Sequence, residues 1–206
     1  MLDPGLVGFV KEGLPPAPAR VLEVGAGDGE LARELASAGY DVVAIDPAAT
    51  VDAVLPVPLR ELDGEPGSFD AAVAVLSMHH VQPLPESCHR LSELVRSGGS
   101  LVLDELDVER FDERAAHWWL DHREPGEDRF ETPEEMLEHL RHHCHPLDAV
   151  RGALEAGFEL GPPARGPYLY RWQLPARLRA TEEQLIAADL LPATGARIVG
   201  VRRANP

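Results

Sequence analysis

The run Val21-Leu22-Glu23-Val24-Gly25-Ala26-Gly27-Asp28-Gly29 restricts the fold of this chain more than any other stretch. An apolar strand breaks into three glycines at alternate positions and leads at once into a helical pattern, Glu30-Leu31-Ala32-Arg33-Glu34-Leu35. Glycine accepts positive φ and lets a ligand approach bare main chain. The unpaired N–H groups of the following helix turn then face that ligand. A strand, glycine loop and helix in this order belong at the carboxyl edge of a parallel sheet in an α/β protein, and they mark a cofactor site.

The spacing argues against a dinucleotide. Gly-x-Gly-x-x-Gly would place its third glycine at position 30, which is Glu30; here it stands at Gly29. Glu23, two residues ahead of the first glycine, would repel a pyrophosphate and attract a cationic amino group. The second apolar run, Asp41-Val42-Val43-Ala44-Ile45, ends at Asp46. That is roughly 20 residues past the loop, where an acid can accept both hydroxyls of a ribose.

Two further blocks follow in order: Ser68-Phe69-Asp70-Ala71-Ala72-Val73-Ala74-Val75-Leu76-Ser77-Met78-His79-His80-Val81, and Leu94-Val95-Arg96-Ser97-Gly98-Gly99-Ser100-Leu101-Val102-Leu103-Asp104-Glu105. With Glu-x-Gly-x-Gly-x-Gly and Asp46, they resemble the class I S-adenosylmethionine-dependent methyltransferases over roughly half of the chain. The resemblance implies a Rossmann-like α/β fold with a seven-stranded, mostly parallel sheet. The antiparallel last strand lies between strands five and six, and helices cover both faces. One domain is expected over residues 1–206, with an N-terminal arm over 1–19 and a small helical cap after strand five, about 107–156.

The implied cofactor is S-adenosyl-L-methionine, leaving as S-adenosyl-L-homocysteine, and the implied reaction is methyl transfer to O or N of a small-molecule acceptor, with sulfur and carbon open. On the same fold, a regulatory protein that only binds the cofactor and an enzyme that does not methylate are the rival readings. By resemblance, Glu23 approaches the cofactor's amino group. Gly25, Ala26, Gly27 and Gly29 form the loop, and Asp46 takes the ribose. Pro47 lies against one adenine face, and Ser77 and Met78 approach from the end of strand four. One segment departs from the family: Pro47 to Val57 is too short for the usual helix and third strand. Only Ala53-Val54-Leu55 remains for that strand, before Pro56 and Pro58. The acid that often receives the adenine amino group is replaced by apolar Leu55-Pro56-Val57-Pro58-Leu59, which points to backbone groups and an apolar slot.

Elsewhere, hydrophobic period and turn residues predict helices over about 29–38, 84–96, 110–121, 132–143, 147–156 and 176–190. Strands are predicted near 20–24, 41–45, 70–76, 100–104, 157–160 and 196–201, with Pro167–Trp172 extending the sixth.

Methyl transfer needs alignment and exclusion of water more than an activated nucleophile on the protein, and a base only where the acceptor must lose a proton. His79 and His80 are candidate bases, with helix capping as their bland role, and His117 in the cap is a third. Trp118 or Trp119 could stack on a planar acceptor. Tyr168 and Tyr170 would share one face of an extended segment with Trp172. No metal is expected. His139, His142, His143, Cys144 and His145 lack zinc-ligand spacing. Metal-dependent catechol-type relatives carry an acid after strand four, where this chain has Met78 and His79.

Composition narrows the partners. A formal net charge of −16 argues against a nucleic-acid backbone as ligand, as does the lack of an Asp/Asn-Pro-Pro-Tyr block after strand four. Two cysteines make no disulfide framework. Neither a leader nor an apolar run of membrane length is visible, so a cytoplasmic protein without membrane contact is expected. Oligomeric state is not legible.

Overall fold

Strand β1 (Arg20–Val24) lies at the middle of the parallel part of the sheet, and the site is built around its carboxyl end. The computed structural model describes residues 3–125 and 130–204. The start of the expected arm, four residues of the expected cap and the last two residues fall outside these. Strands β2 (Asp41–Ile45), β3 (Phe69–Val75) and β4 (Val95–Leu106) run parallel to β1 in the order β2-β1-β3-β4. β7 (Gly195–Arg202) pairs antiparallel with β4 on one side and with β5 (Phe158–Leu160) on the other. The short β6 (Ala164–Gly166) also pairs antiparallel with β7. The sheet is thus seven-stranded, with β7 running against the rest. The expected third strand is only a single parallel bridge, Ile45 to Leu55. Its two prolines cannot donate to a ladder, and β6 restores the strand count.

The pleat sends alternate residues to opposite faces. Leu22, Val24, Ala72, Ala74, Leu101 and Leu103 meet α3 (Leu84–Leu94) and α6 (Leu147–Glu155). Val21, Ala71, Val73 and Val102 meet α1 (Pro4–Gly13) and α2 (Glu30–Ser37). The same alternation puts Glu23 on the α2 side, where a Val or Ile would ordinarily sit.

Beyond β4, α4 (Glu113–His122) and α5 (Pro133–His143) build a second core around the fully buried Trp119. Asp112 and Thr132 cap them by accepting N–H bonds. The cap differs from expectation in extent. α6 belongs to the sheet layer, through Leu147, Val150 and Leu154. Tyr168, Leu169, Leu174 and Leu191 join the cap core instead.

Pro167–Trp172 is not a strand. Leu169–Arg171 is a 3-10 turn because the buried Glu182 gathers the N–H groups of Tyr168, Leu169 and Tyr170 at 2.7, 2.9 and 2.9 Å, leaving none for a ladder. Burial nonetheless raises the Glu182 pKa, against the three donors that lower it. The expected helix over 176–190 is shorter, α7 (Arg179–Ala187). Among the described residues no helix is long and apolar enough to cross a membrane.

Candidate active site

The chain leaves β1 for β2 on one side and returns to β3 on the other, so the carboxyl end of β1 is a topological switch point. A crevice of about 400 Å³ opens there. Val24, Gly25, Ile45, Asp46, Leu76 and Ser77 contribute from the three strand ends. Pro47, Val57, Pro58 and Leu59 give it apolar lining, and His80 lines it too. The expected apolar slot beyond Leu55 is therefore present, although Leu55 itself is exposed and the slot begins at Val57.

All three loop glycines have positive φ: +71° at Gly25, +55° at Gly27 and +74° at Gly29. Gly25 is also sterically required. A Cβ there would sit 2.2 Å from the Ser77 Cβ. The loop is latched to β2. Gly25 and Ala26 donate to the Ile45 carbonyl at 2.8 and 3.0 Å, and Gly27 donates to Asp46 Oδ2 at 3.0 Å. Asp46 Oδ1 accepts from Ala48 at 2.8 Å. A carboxylate has lone pairs beyond these two, so Asp46 retains capacity for a ligand hydroxyl.

Glu23 is 3% exposed, and its Oε2 has no hydrogen-bond partner. Burial, then the neighbouring Asp28, pushes its pKa up to about 8, against the Ala32 N–H and Arg33. A buried carboxyl oxygen without a partner is costly. A cation or N–H of a ligand would satisfy it.

The other predicted residues are distributed as follows. Ser77 lines the crevice, and its hydroxyl donates to the Val24 carbonyl at 2.7 Å. Met78 and His79 do not line it. Met78 is fully buried, because its side chain turns into the core beneath the sheet. The buried His79 is held by Glu105, with Nδ1 and Oε2 2.6 Å apart. Glu105 Oε1 accepts the N–H groups of Ser77 and Met78 at 3.1 and 2.7 Å.

His117 is exposed on α4 and lies off the crevice wall. Trp118 is half-buried beside His122, with ring centres 5.0 Å apart, and is likewise no part of that wall. Tyr168 is buried near Trp172. Tyr170 bonds through its hydroxyl to Asp3, and burial together with that carboxylate pushes its pKa up to about 12. It lines a second cavity of about 540 Å³ with Asp3, Glu30, Arg171 and Arg179. Glu30 is the first residue of α2, so this cavity adjoins the glycine loop.

Sequence reading missed three buried acids at the end of β4. Asp104 is held by Arg171 and Arg197, Glu105 by His79, and Asp107 by Arg165. The available signal was an apolar strand ending in acids at the carboxyl edge. Glu182 was also missed, and its partners 12–14 residues away leave no local mark.

A glycine loop and an acid on adjacent strands, at the switch point of a mostly parallel sheet, define a Rossmann-like protein with a crevice at that point. Residues 8–159 match the family described as "Methyltransferase domain", and the chain belongs to that family. It is 35% identical over 103 residues to an uncharacterised methyltransferase of Mycobacterium bovis, covering 44% of this chain and 41% of that protein. It is 32% identical over 121 residues to a ubiquinone biosynthesis O-methyltransferase of Xanthomonas axonopodis pv. citri, covering 52% and 51%. The chain spans about half the length of the curated relatives it matches. The fold is shared with an S-adenosylmethionine-dependent methyltransferase from Mesorhizobium loti (TM-score 0.60, 15% identity, 94% of this chain and 95% of that one). It is also shared with phosphoethanolamine N-methyltransferase 2 of Haemonchus contortus, solved in complex with S-adenosyl-L-methionine (TM-score 0.62, 15% identity, 97% and 52%).

Proposed function

We propose that this chain is an S-adenosylmethionine-dependent methyltransferase acting on O or N of a small polar acceptor. The observation that carries the reading is the buried, unpartnered Glu23 oxygen behind a left-handed glycine loop, with Asp46 on the next strand. These residues suit a nucleoside with a cationic amino acid at one end. Glu23 and the loop main chain would hold the amino-acid end, Asp46 the ribose, and Pro47, Val57, Pro58 and Leu59 the adenine. When bound, the cofactor supplies a methyl group already attached to a good leaving group.

The protein's remaining task is to orient the acceptor and keep water out. The acceptor is read as entering through the second cavity, whose Asp3, Glu30, Arg171 and Arg179 favour a polar compound. Tyr170 is the acceptor contact retained from the sequence reading. His80 is the predicted imidazole that stands on the crevice wall. The net charge of −16 supports a small molecule over a nucleic acid.

Calorimetry with S-adenosylmethionine and S-adenosylhomocysteine, followed by a labelled-methyl assay over a metabolite panel, tests the proposal. Binding and transfer are expected. Binding without transfer to any acceptor would favour the regulatory reading, and no binding of either compound would end both. Asp46→Ala should weaken binding of either compound by at least about tenfold, the worth of charge-assisted hydrogen bonds to a hydroxyl pair. Unchanged affinity would remove Asp46 from the sugar. Tyr170→Phe should raise the acceptor KM about three- to tenfold, one neutral hydrogen bond's worth, with cofactor affinity unchanged.

A further inference from the structure

We infer that His79, His80 and Cys144 form a binding site for a zinc-class divalent cation at the wall of the crevice. One side-chain ligand atom from each lies within 4.8 Å of the other two. Two imidazoles and a thiolate around zinc place their ligand atoms about 3.3–3.7 Å apart, given Zn–N and Zn–S distances of about 2.1 and 2.3 Å. Closing on the ion therefore takes side-chain adjustments of about an ångström. Among the described residues no other trio of such groups comes together.

The backbone brings these ligands together without an ion. His79 and His80 sit in the turn after β3, and Cys144 directly follows α5. The two segments are joined by His145 N–H donating to the His79 carbonyl at 2.8 Å, and by the His143 carbonyl 3.2 Å from His80 Nδ1. The imidazoles are also oriented. Glu105 engages His79 through Nδ1 at 2.6 Å, which leaves Nε2 as the nitrogen for a ligand. His80 Nδ1 faces the His143 carbonyl, with the same consequence. A carboxylate behind a histidine is the usual support of a metal-bound imidazole, because it fixes the tautomer and strengthens the donor.

The charges also balance. On binding, the Cys144 S–H bond breaks, the proton goes to solvent and the sulfur's electron pair bonds the metal. The divalent ion and one thiolate leave a single positive charge in a largely buried site, and Glu105 offsets it. Imidazole and thiolate donors favour zinc, cobalt or copper over magnesium or calcium. Two alternatives are weaker. The half-buried His139 and exposed His143 rings stack at 4.2 Å, but among the described residues no third ligand group joins them. Cys88 is buried in the sheet core, and among the described residues it belongs to no such group.

Three protein ligands leave one coordination position open. Since His80 lines the crevice, an acceptor heteroatom could occupy that position. This last role rests on the methyl-transfer reading, whereas cation binding does not.

Titration of the metal-stripped full chain with cobalt(II), read by absorption, tests the site. About one equivalent should bind and give a thiolate-to-cobalt charge-transfer band that zinc(II) abolishes. Cys144→Ser should remove the band, and Cys88→Ser should keep it. His80→Ala, at an exposed ring, should weaken cobalt affinity at least about tenfold, and it carries the test if Cys144→Ser fails to fold by circular dichroism. Glu105→Gln, which acts through His79, should weaken affinity about 10- to 100-fold while leaving the band's position unchanged. Absence of the band in the wild type, its survival in Cys144→Ser, or unchanged affinity in His80→Ala would overturn the inference. S-adenosylhomocysteine calorimetry on the metal-free protein reads the cofactor proposal separately.

Discussion

Glu23 occupies a position where an apolar residue would cost nothing, and its consequence is a pH dependence with a definite sign. Its folded-state pKa is raised from 4.5 to about 8. Between those values the folded carboxyl keeps its proton while the unfolded one has lost it. The unfolded state therefore binds fewer protons, and stability falls as pH rises through the window. Above about pH 8 both states are ionised and the cost is fully present. Urea unfolding should show Glu23→Gln gaining on the wild type from about pH 4.5 to about pH 8, by on the order of a few kcal/mol in total; a pH-independent gap would contradict the shift. If Glu23 meets a cationic ligand it must ionise, so cofactor binding near pH 7 should release about one proton. Calorimetry in buffers of different ionisation enthalpy measures this, and a zero slope would separate Glu23 from the ligand.

The same scale shows what was legible in the sequence. Gly25, Gly27, Gly29 and Asp46 were readable because a turn's chemistry is local: the latch from Gly27 to Asp46 spans one strand–helix–strand unit. Met78 and His79 do not line the crevice because a 3-10 turn soon after β3 sends neighbouring side chains in different directions. Only His80 of that turn reaches the crevice wall. Glu105 and Glu182 went unread because burial, not sequence spacing, gives a carboxylate its partners.

Among the elements, the turn at Leu169–Arg171 shows how one distant residue can overrule a local pattern. Alternating Tyr168, Tyr170 and Trp172 read as a strand, yet Glu182 on α7 takes all three N–H groups that a ladder would need. Glu182→Ala would leave those donors buried and unpaired at about 1–3 kcal/mol each. A loss of at least about 3 kcal/mol is expected in denaturant titrations. Glu182→Gln, which keeps an acceptor oxygen but adds two donors, should fall between; equal stability of all three proteins would refute the role. The cap's boundary was unreadable for a related reason. α6 and α5 are both amphipathic, and only the packed structure reveals that α6 turns its apolar side to the sheet and α5 to Trp119.

At the scale of the molecule, ion pairs join regions far apart in the chain. Asp104 in β4 receives Arg171 and Arg197, and Asp3 receives Arg179 and the Tyr170 hydroxyl. Asp104→Ala would strand two guanidinium groups and should cost about 3–5 kcal/mol, read from denaturant midpoints; a loss below 1 kcal/mol would mean that both arginines are resolvated without penalty.

The placement of β7 sets an order of events during synthesis. It is made after β5 and β6, yet it lies inside the sheet, between β4 and both of them. Until β7 has left the ribosome, the β4 edge is open, and β5 and β6 have no partner to join. A nascent chain halted before residue 195 should accordingly remain sensitive to protease from β5 onward, and docking of β5 and β6 onto the sheet should await the emergence of β7.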